Sequence, residues 1–331
     1  MTTIRRLLPL LPALLPALLG TLAASAHAES VAFSFATAQQ ARTVLTTRDD
    51  FVQGQSPFDR AARLKTAGEV NESTYLKFVS DNAQEWSEKE KALVQEAFSK
   101  IQPRLDALSL PFPKQVLMIK TTGKEEGGAA YTRANAIILT EAELADDKKT
   151  GLPRLISHEL FHVLSRHNPA LREKLYGVIG FQPCGELAFP AKLKPIKLTN
   201  PDAPRNDYCI QVKTGGVSNW AIPILYATQP SYDTAKGGEF FDYLNFKLLL
   251  VEKGSATRPA QPRTDANGPL LVDVKDVSGF FEQIGKNTGY IIHPEEIVAD
   301  NFAMLVLKDA KIASPEITDK MQQILDAAKV K

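Results

Sequence analysis

The segment Ser157-His158-Glu159-Leu160-Phe161-His162 constrains this chain more than any other. Ile156, Leu160 and Val163 fall on one face of a predicted helix from about Leu152 to His167, and Pro153 suits its first turn. On that helix, residues four apart differ by about 40° in direction, so His158 and His162 send both imidazoles to one side. Two nitrogen donors so placed are half of a tetrahedral zinc site. Glu159 stands one residue further round. It cannot share the ligand direction, but it can reach a water held in the site, as a general base does. Whatever fold the chain adopts must bring a third protein ligand to this helix.

One known extension of the motif supplies that ligand three residues past a glycine. Here Ser165 and Asn168 occupy those two positions, so the extension is absent. His167 is one residue out of place and about 140° around the helix from His162. It reads as a residue at the helix C-terminus, where the dipole favours it. Glu186 is the nearest acidic competitor, but Pro190 stands where a helical carboxylate partner would be needed. The better candidate is the run His293-Pro294-Glu295-Glu296-Ile297-Val298-Ala299-Asp300. Pro294 starts a helix on which Glu296 and Asp300, four apart, share a face. Glu296 then serves as the third ligand, and Asp300 accepts the free ring N–H of a ligand histidine. Glu295 points about 100° away from Glu296 and receives no role on this reading.

H-E-x-x-H followed by E-x-x-x-D on a later helix resembles the gluzincin zinc metallopeptidases, the broad group that includes thermolysin. The resemblance covers two motifs and the elements around them. It implies that Glu159 is the base, Glu296 the third ligand to one Zn2+ per chain, and Asp300 the brace of a histidine. It also implies a zincin-like core, in which a small sheet carries an active-site helix and a ligand helix. In that group a strand before the motif helix lies beside the cleft and pairs with extended substrate. The strand here is Ala134 to Thr140, although its Ile137-Ile138-Leu139 run equally suits burial on both faces. Thermolysin-like enzymes place a Tyr and a His at the oxyanion. No histidine follows His293, so Tyr290, just upstream of the ligand helix, is the first choice and His293 the second. The interval from His162 to Glu296 is much longer than in many members, which calls for an insertion between the two helices.

The rest of the chain supplies that insertion and a leader. Arg5 and Arg6, the apolar run Leu7 to Leu19 and the small-x-small triplet Ala26-His27-Ala28 have the layout of a secretory signal peptide, 1–28. Its cleavage makes the protein secreted or periplasmic. No later stretch is apolar for long enough to cross a bilayer. The formal charge of +1 falls to about −1 without Arg5 and Arg6, and no basic cluster suggests nucleic acid. Cys184 and Cys209 are the two cysteines, a pair that an exported chain would be expected to join in a disulfide.

Ser87 and Glu90 form a capping box at the start of a helix to Leu108. Gln115–Thr121 and Asn135–Thr140 read as strands, with Gly127-Gly128 in the turn region between them. Tyr208–Val212, Trp220–Ala227 and Phe240–Val251 read as further strands, and helices return at about 276–285, 294–308 and 315–329. The expected organisation is α+β: a mostly helical N-terminal region (29–110), a zincin-like core (111–181), a β-rich insertion (182–274) and a helical part carrying the third ligand (275–331). The expected function is an exported zinc metallopeptidase acting on peptides or proteins. The alternatives are a non-catalytic zinc-binding protein and a metal-free surface-binding module.

Overall fold

The computed structural model describes residues 31–330 except residue 146; the expected signal peptide lies outside the described residues. The fold is mixed α+β, built on two sheets. The first sheet joins β1 (Phe33–Phe35), β2 (Ala83–Gln84), β3 (Val116–Thr121), β4 (Tyr131–Arg133) and β5 (Ala136–Thr140). Its order is β1-β3-β5-β4, with β2 beside the far end of β3. β1, β3 and β5 run parallel, and β4 is antiparallel to β5 at the edge.

The side-chain period of two decides what covers each face. Val116, Met118, Ile137 and Leu139 enter the large core, with residues of the long helix Glu88–Leu108 and of the motif helix. Ile119, Ala136 and Ile138 enter a smaller core beneath the N-terminal helices Ala38–Leu45, Asp50–Gly54, Pro57–Arg63 and Glu72–Asp81. The N-terminal region is therefore not only helical: β1 and β2 complete the sheet. β5 is buried throughout and paired on both sides, as its Ile137-Ile138-Leu139 run suits, and the substrate-pairing edge that the resemblance implied is not this strand. Ala134 lies in the tight turn between β4 and β5 with φ of 51°, and the free edge belongs to β4.

The second sheet occupies the expected insertion. β6 (Phe181–Pro183), β7 (Tyr208–Thr214), β8 (Val217–Ala227) and β9 (Leu244–Glu252) form an antiparallel meander, extended by short strands at Gln261–Pro262 and Leu271–Val272. The strand read at Phe240–Val251 starts later, because Phe240–Tyr243 is a 3-10 turn that buries Phe240 and Tyr243. The helix expected at 276–285 shortens to Phe280–Ile284. Gly279 and Gly285 bound it with φ of 89° and 73°, and a Cβ on Gly285 would meet Ser314 at 2.9 Å. Among the described residues no helix is long and apolar enough to cross a membrane.

Two helices carry the site residues, and both are buried nearly all round. Continuing in chain order, the motif helix is Leu152–His167 and the later helix is Pro294–Leu307; they are called α1 and α2 here. Ile156, Leu160, Phe161 and Val163 of α1 join Ile297, Val298 and Phe302 of α2 in the large core, and the rings of Phe161 and Phe302 lie 5.6 Å apart. Each such side chain contributes about 2 kcal/mol by leaving water. Apolar packing thus holds the helices together, against the cost of burying the ionisable groups between them.

Candidate metal centre

His158 and His162 face Glu296 across the α1–α2 contact. Glu296 Oε2 lies 3.1 Å from His158 Nε2 and 3.6 Å from His162 Nε2. Donors about 2.0–2.1 Å from a tetrahedral zinc stand roughly 3.3 Å from one another, so these separations suit a shared ion. The three ligand atoms lie within 4.8 Å of one another and could hold a metal ion. Each residue is fixed from behind. Asp300 Oδ1 accepts from His158 Nδ1 at 2.9 Å, and Asn200 Nδ2 donates to Glu296 Oε1 at 2.5 Å. Asp300 is in turn held by the Thr288 hydroxyl.

Glu295, left without a role by its direction on the helix, braces the second histidine. Its Oε1 accepts from His162 Nδ1 at 3.0 Å and from the Ser165 hydroxyl, and its Oε2 accepts from Tyr176. Both Nδ1 atoms are thus engaged by carboxylates, which leaves both Nε2 atoms directed at the site and raises ligand basicity. Glu295 points away from Glu296, and Nδ1 of His162 lies on that side. Ser165, three residues past His162 on α1, carried a usable signal. Asn200 and Asp202 carried none, because they lie in irregular chain between β6 and β7.

Glu159 is buried beside this group, and its Oε2 has no hydrogen-bond partner among the protein groups. The same is true of His162 Nε2. Ligand atoms of Glu159, His162 and Asp202 form a second group within 4.8 Å of one another. Burial, then Asp202, pushes Glu159 up to about 8, with the histidines opposing. Burial would lower His162, but Asp202, Glu296 and the bond to Glu295 push it up to about 9. Burial would raise Glu296, yet His162, His158 and Asn200 hold it down at about 2. Burial would also lower His158, and its bonds to Asp300 and Glu296 outweigh that and hold it well above the ordinary imidazole range. Carboxylates outnumber imidazoles in a largely buried space, the condition that a divalent cation relieves.

Tyr290 stands at the rim with 44% of its surface exposed, its ring 6.4 Å from that of His158. Its backbone N–H donates to Thr288 Oγ1 at 2.9 Å, which ties the rim to the brace of Asp300. Burial of the phenol, then Glu296, Asp202 and Glu159, holds it well above the ordinary tyrosine range, so it is a donor. His293 is committed elsewhere: it caps α2, accepting from Glu295 N–H at Nδ1 and donating to the Arg205 carbonyl at 3.2 Å. It is not available as an oxyanion donor. His167 ends α1 and is exposed, and Glu186 pairs with Arg205 at 3.2 Å and bonds the Asn206 amide. Cys184 and Cys209 are buried, unbonded thiols in contact with each other, so the expected disulfide is not formed in this structure.

No protein-family model, curated protein or solved structure matches this chain.

Proposed function

We propose that the chain is an exported zinc-dependent hydrolase that cleaves amide bonds in peptides or proteins. One observation carries this reading: His158, His162 and Glu296 converge from two distant helices, and the unpartnered carboxylate oxygen of Glu159 is buried beside them. The likeness of the two motifs to the gluzincins, and a small sheet backing the motif helix, support the same reading.

His158, His162 and Glu296 would hold the ion, with Asp300, Glu295 and Asn200 fixing the direction of each ligand. When bound, zinc polarises a carbonyl and acidifies water. Glu159 takes the water proton at Oε2, and a cation among these groups favours the carboxylate that this requires. The Tyr290 hydroxyl donates to the oxygen of the attacked carbonyl.

The test is metal content together with digestion of a broad peptide library. Wild-type protein should carry about one zinc per chain. Glu296→Ala should lose it, and Glu159→Gln should keep it while losing at least about a hundredfold in cleavage. Undiminished cleavage by Glu159→Gln would count against the mechanism. A second reading, a non-catalytic zinc protein, is favoured by Asp202, a carboxylate with a ligand atom within 4.8 Å of those of His162 and Glu159, on the side where a closed site would take a fourth ligand. It predicts the same zinc content with no cleavage by any variant.

A further inference from the structure

The irregular segment from Leu198 to Asp207 crosses the front of the site. Asn200 holds Glu296, and Asp202 Oδ1 accepts from the backbone N–H and hydroxyl of Thr132 at 2.6 and 2.8 Å. Thr132 is the middle residue of β4, whose other side pairs with β5, so Asp202 consumes the outward amide of the sheet's free edge. Arg166 of α1 binds the Thr132 hydroxyl and the carbonyls of Pro201 and Asp202.

Cavities lie on both sides of this crossing. One, of about 280 Å³, is lined by Arg133, Arg166 and Tyr176; the other, of about 50 Å³, by Ala130, Phe240 and Tyr290. Pro201 and Asp202 line both. The segment therefore separates two hollows that lie along β4. Its contacts with β4 come from side chains: no backbone bond among the described residues joins 199–205 to that strand. A chain that formed ladder bonds with β4 could replace it.

Resting on the zinc reading above, we propose that Asp202 closes the ion's open position and that residues 201–204 hold the place of an extended polypeptide substrate, which displaces them on binding while Thr199 and Asn200 keep their bonds to Asp59 and Glu296. Three facts point the same way. A ligand atom of Asp202 lies within 4.8 Å of those of His162 and Glu159; Glu159 and His162 each present a buried, unpartnered polar atom there; and the edge amide that an incoming strand would use is the one Asp202 occupies. Catalytic sites keep one position open, whereas closed four-residue sites are structural. A displaceable fourth carboxylate reconciles a closed resting site with an intact base.

The test loads cobalt(II) into wild-type protein, Asp202→Ala and Asp202→Asn, and follows the visible spectrum during titration with acetohydroxamate. Asparagine keeps an acceptor for Thr132, so it guards against a failure of the alanine variant to fold. Both variants should alter the cobalt bands before any acetohydroxamate is added. Both should also bind it roughly tenfold or more tightly, because the competent state is no longer a minor fraction. Identical spectra and equal affinities in all three proteins would overturn the proposal while leaving the metal site intact. Failure of wild-type protein to take up cobalt would instead overturn the zinc reading, and this proposal with it.

Discussion

Two buried clusters of ionisable groups sit close together in this protein, and one of them is complete. In the first, the Arg63 guanidinium donates to both oxygens of Glu126 at 2.8 Å, to Asp59 and to the Thr199 carbonyl, with the rings of Phe51 and Phe240 on its faces. Thr199 N–H supplies the remaining Asp59 oxygen at 2.9 Å. Burial opposes the charge on Arg63, but Asp59 and Glu126 hold it well above its ordinary value. In the second, Glu159, Asp202, Glu295, Glu296 and Asp300 surround two imidazoles, and an oxygen of Glu159 and a nitrogen of His162 remain unpartnered. The first cluster carries its own fixed cation. The second is built as though its cation comes from solution.

The first cluster depends most on Arg63. Arg63→Met strands two buried carboxylates, and urea unfolding should register a loss of about 3–5 kcal/mol. A loss below about 1 kcal/mol would mean that Asp59 and Glu126 simply take up protons, and that the guanidinium is not what completes the cluster. Next in size is the effect of the mobile cation. Zinc at a hundred times its dissociation constant should stabilise the metal-free protein by about 2.7 kcal/mol. Thermal melts should show that gain in wild type and in Arg63→Lys but not in His162→Ala; an equal gain in His162→Ala would place the ion elsewhere. The smallest effect sharpens the role of the bracing carboxylate. Glu295→Gln should weaken zinc about tenfold in competition with a chelator, since the partner of His162 Nδ1 is changed and the ligands are not. Unchanged affinity would reduce Glu295 to a packing residue.

The same contrast explains what was legible in the sequence. Helical periodicity exposes neighbours on one helix, so His158, Glu159 and His162 were readable, and so were Glu296 and Asp300. The contact of His158 with both Glu296 and Asp300 follows from those two faces meeting. Glu295 was set aside because direction on its own helix says nothing about which atom of α1 lies across from it. Asn200 and Asp202 were invisible for a stronger reason: they act through a tertiary crossing of irregular chain, which has no period to detect. β4 was missed because three residues between turns are too short for an alternation to stand out. Nothing in the local sequence marks Arg63 as interior; the packing of Phe51 and Phe240 around it does.

His158 and Glu296 stand 138 positions apart, and the whole second sheet is threaded between them. A nascent or unravelled polypeptide therefore holds at most the two histidines of this centre, without the carboxylate. On the zinc reading, tight capture of the ion would certify that the intervening architecture has been assembled, and damage far from the histidines would erase that certificate.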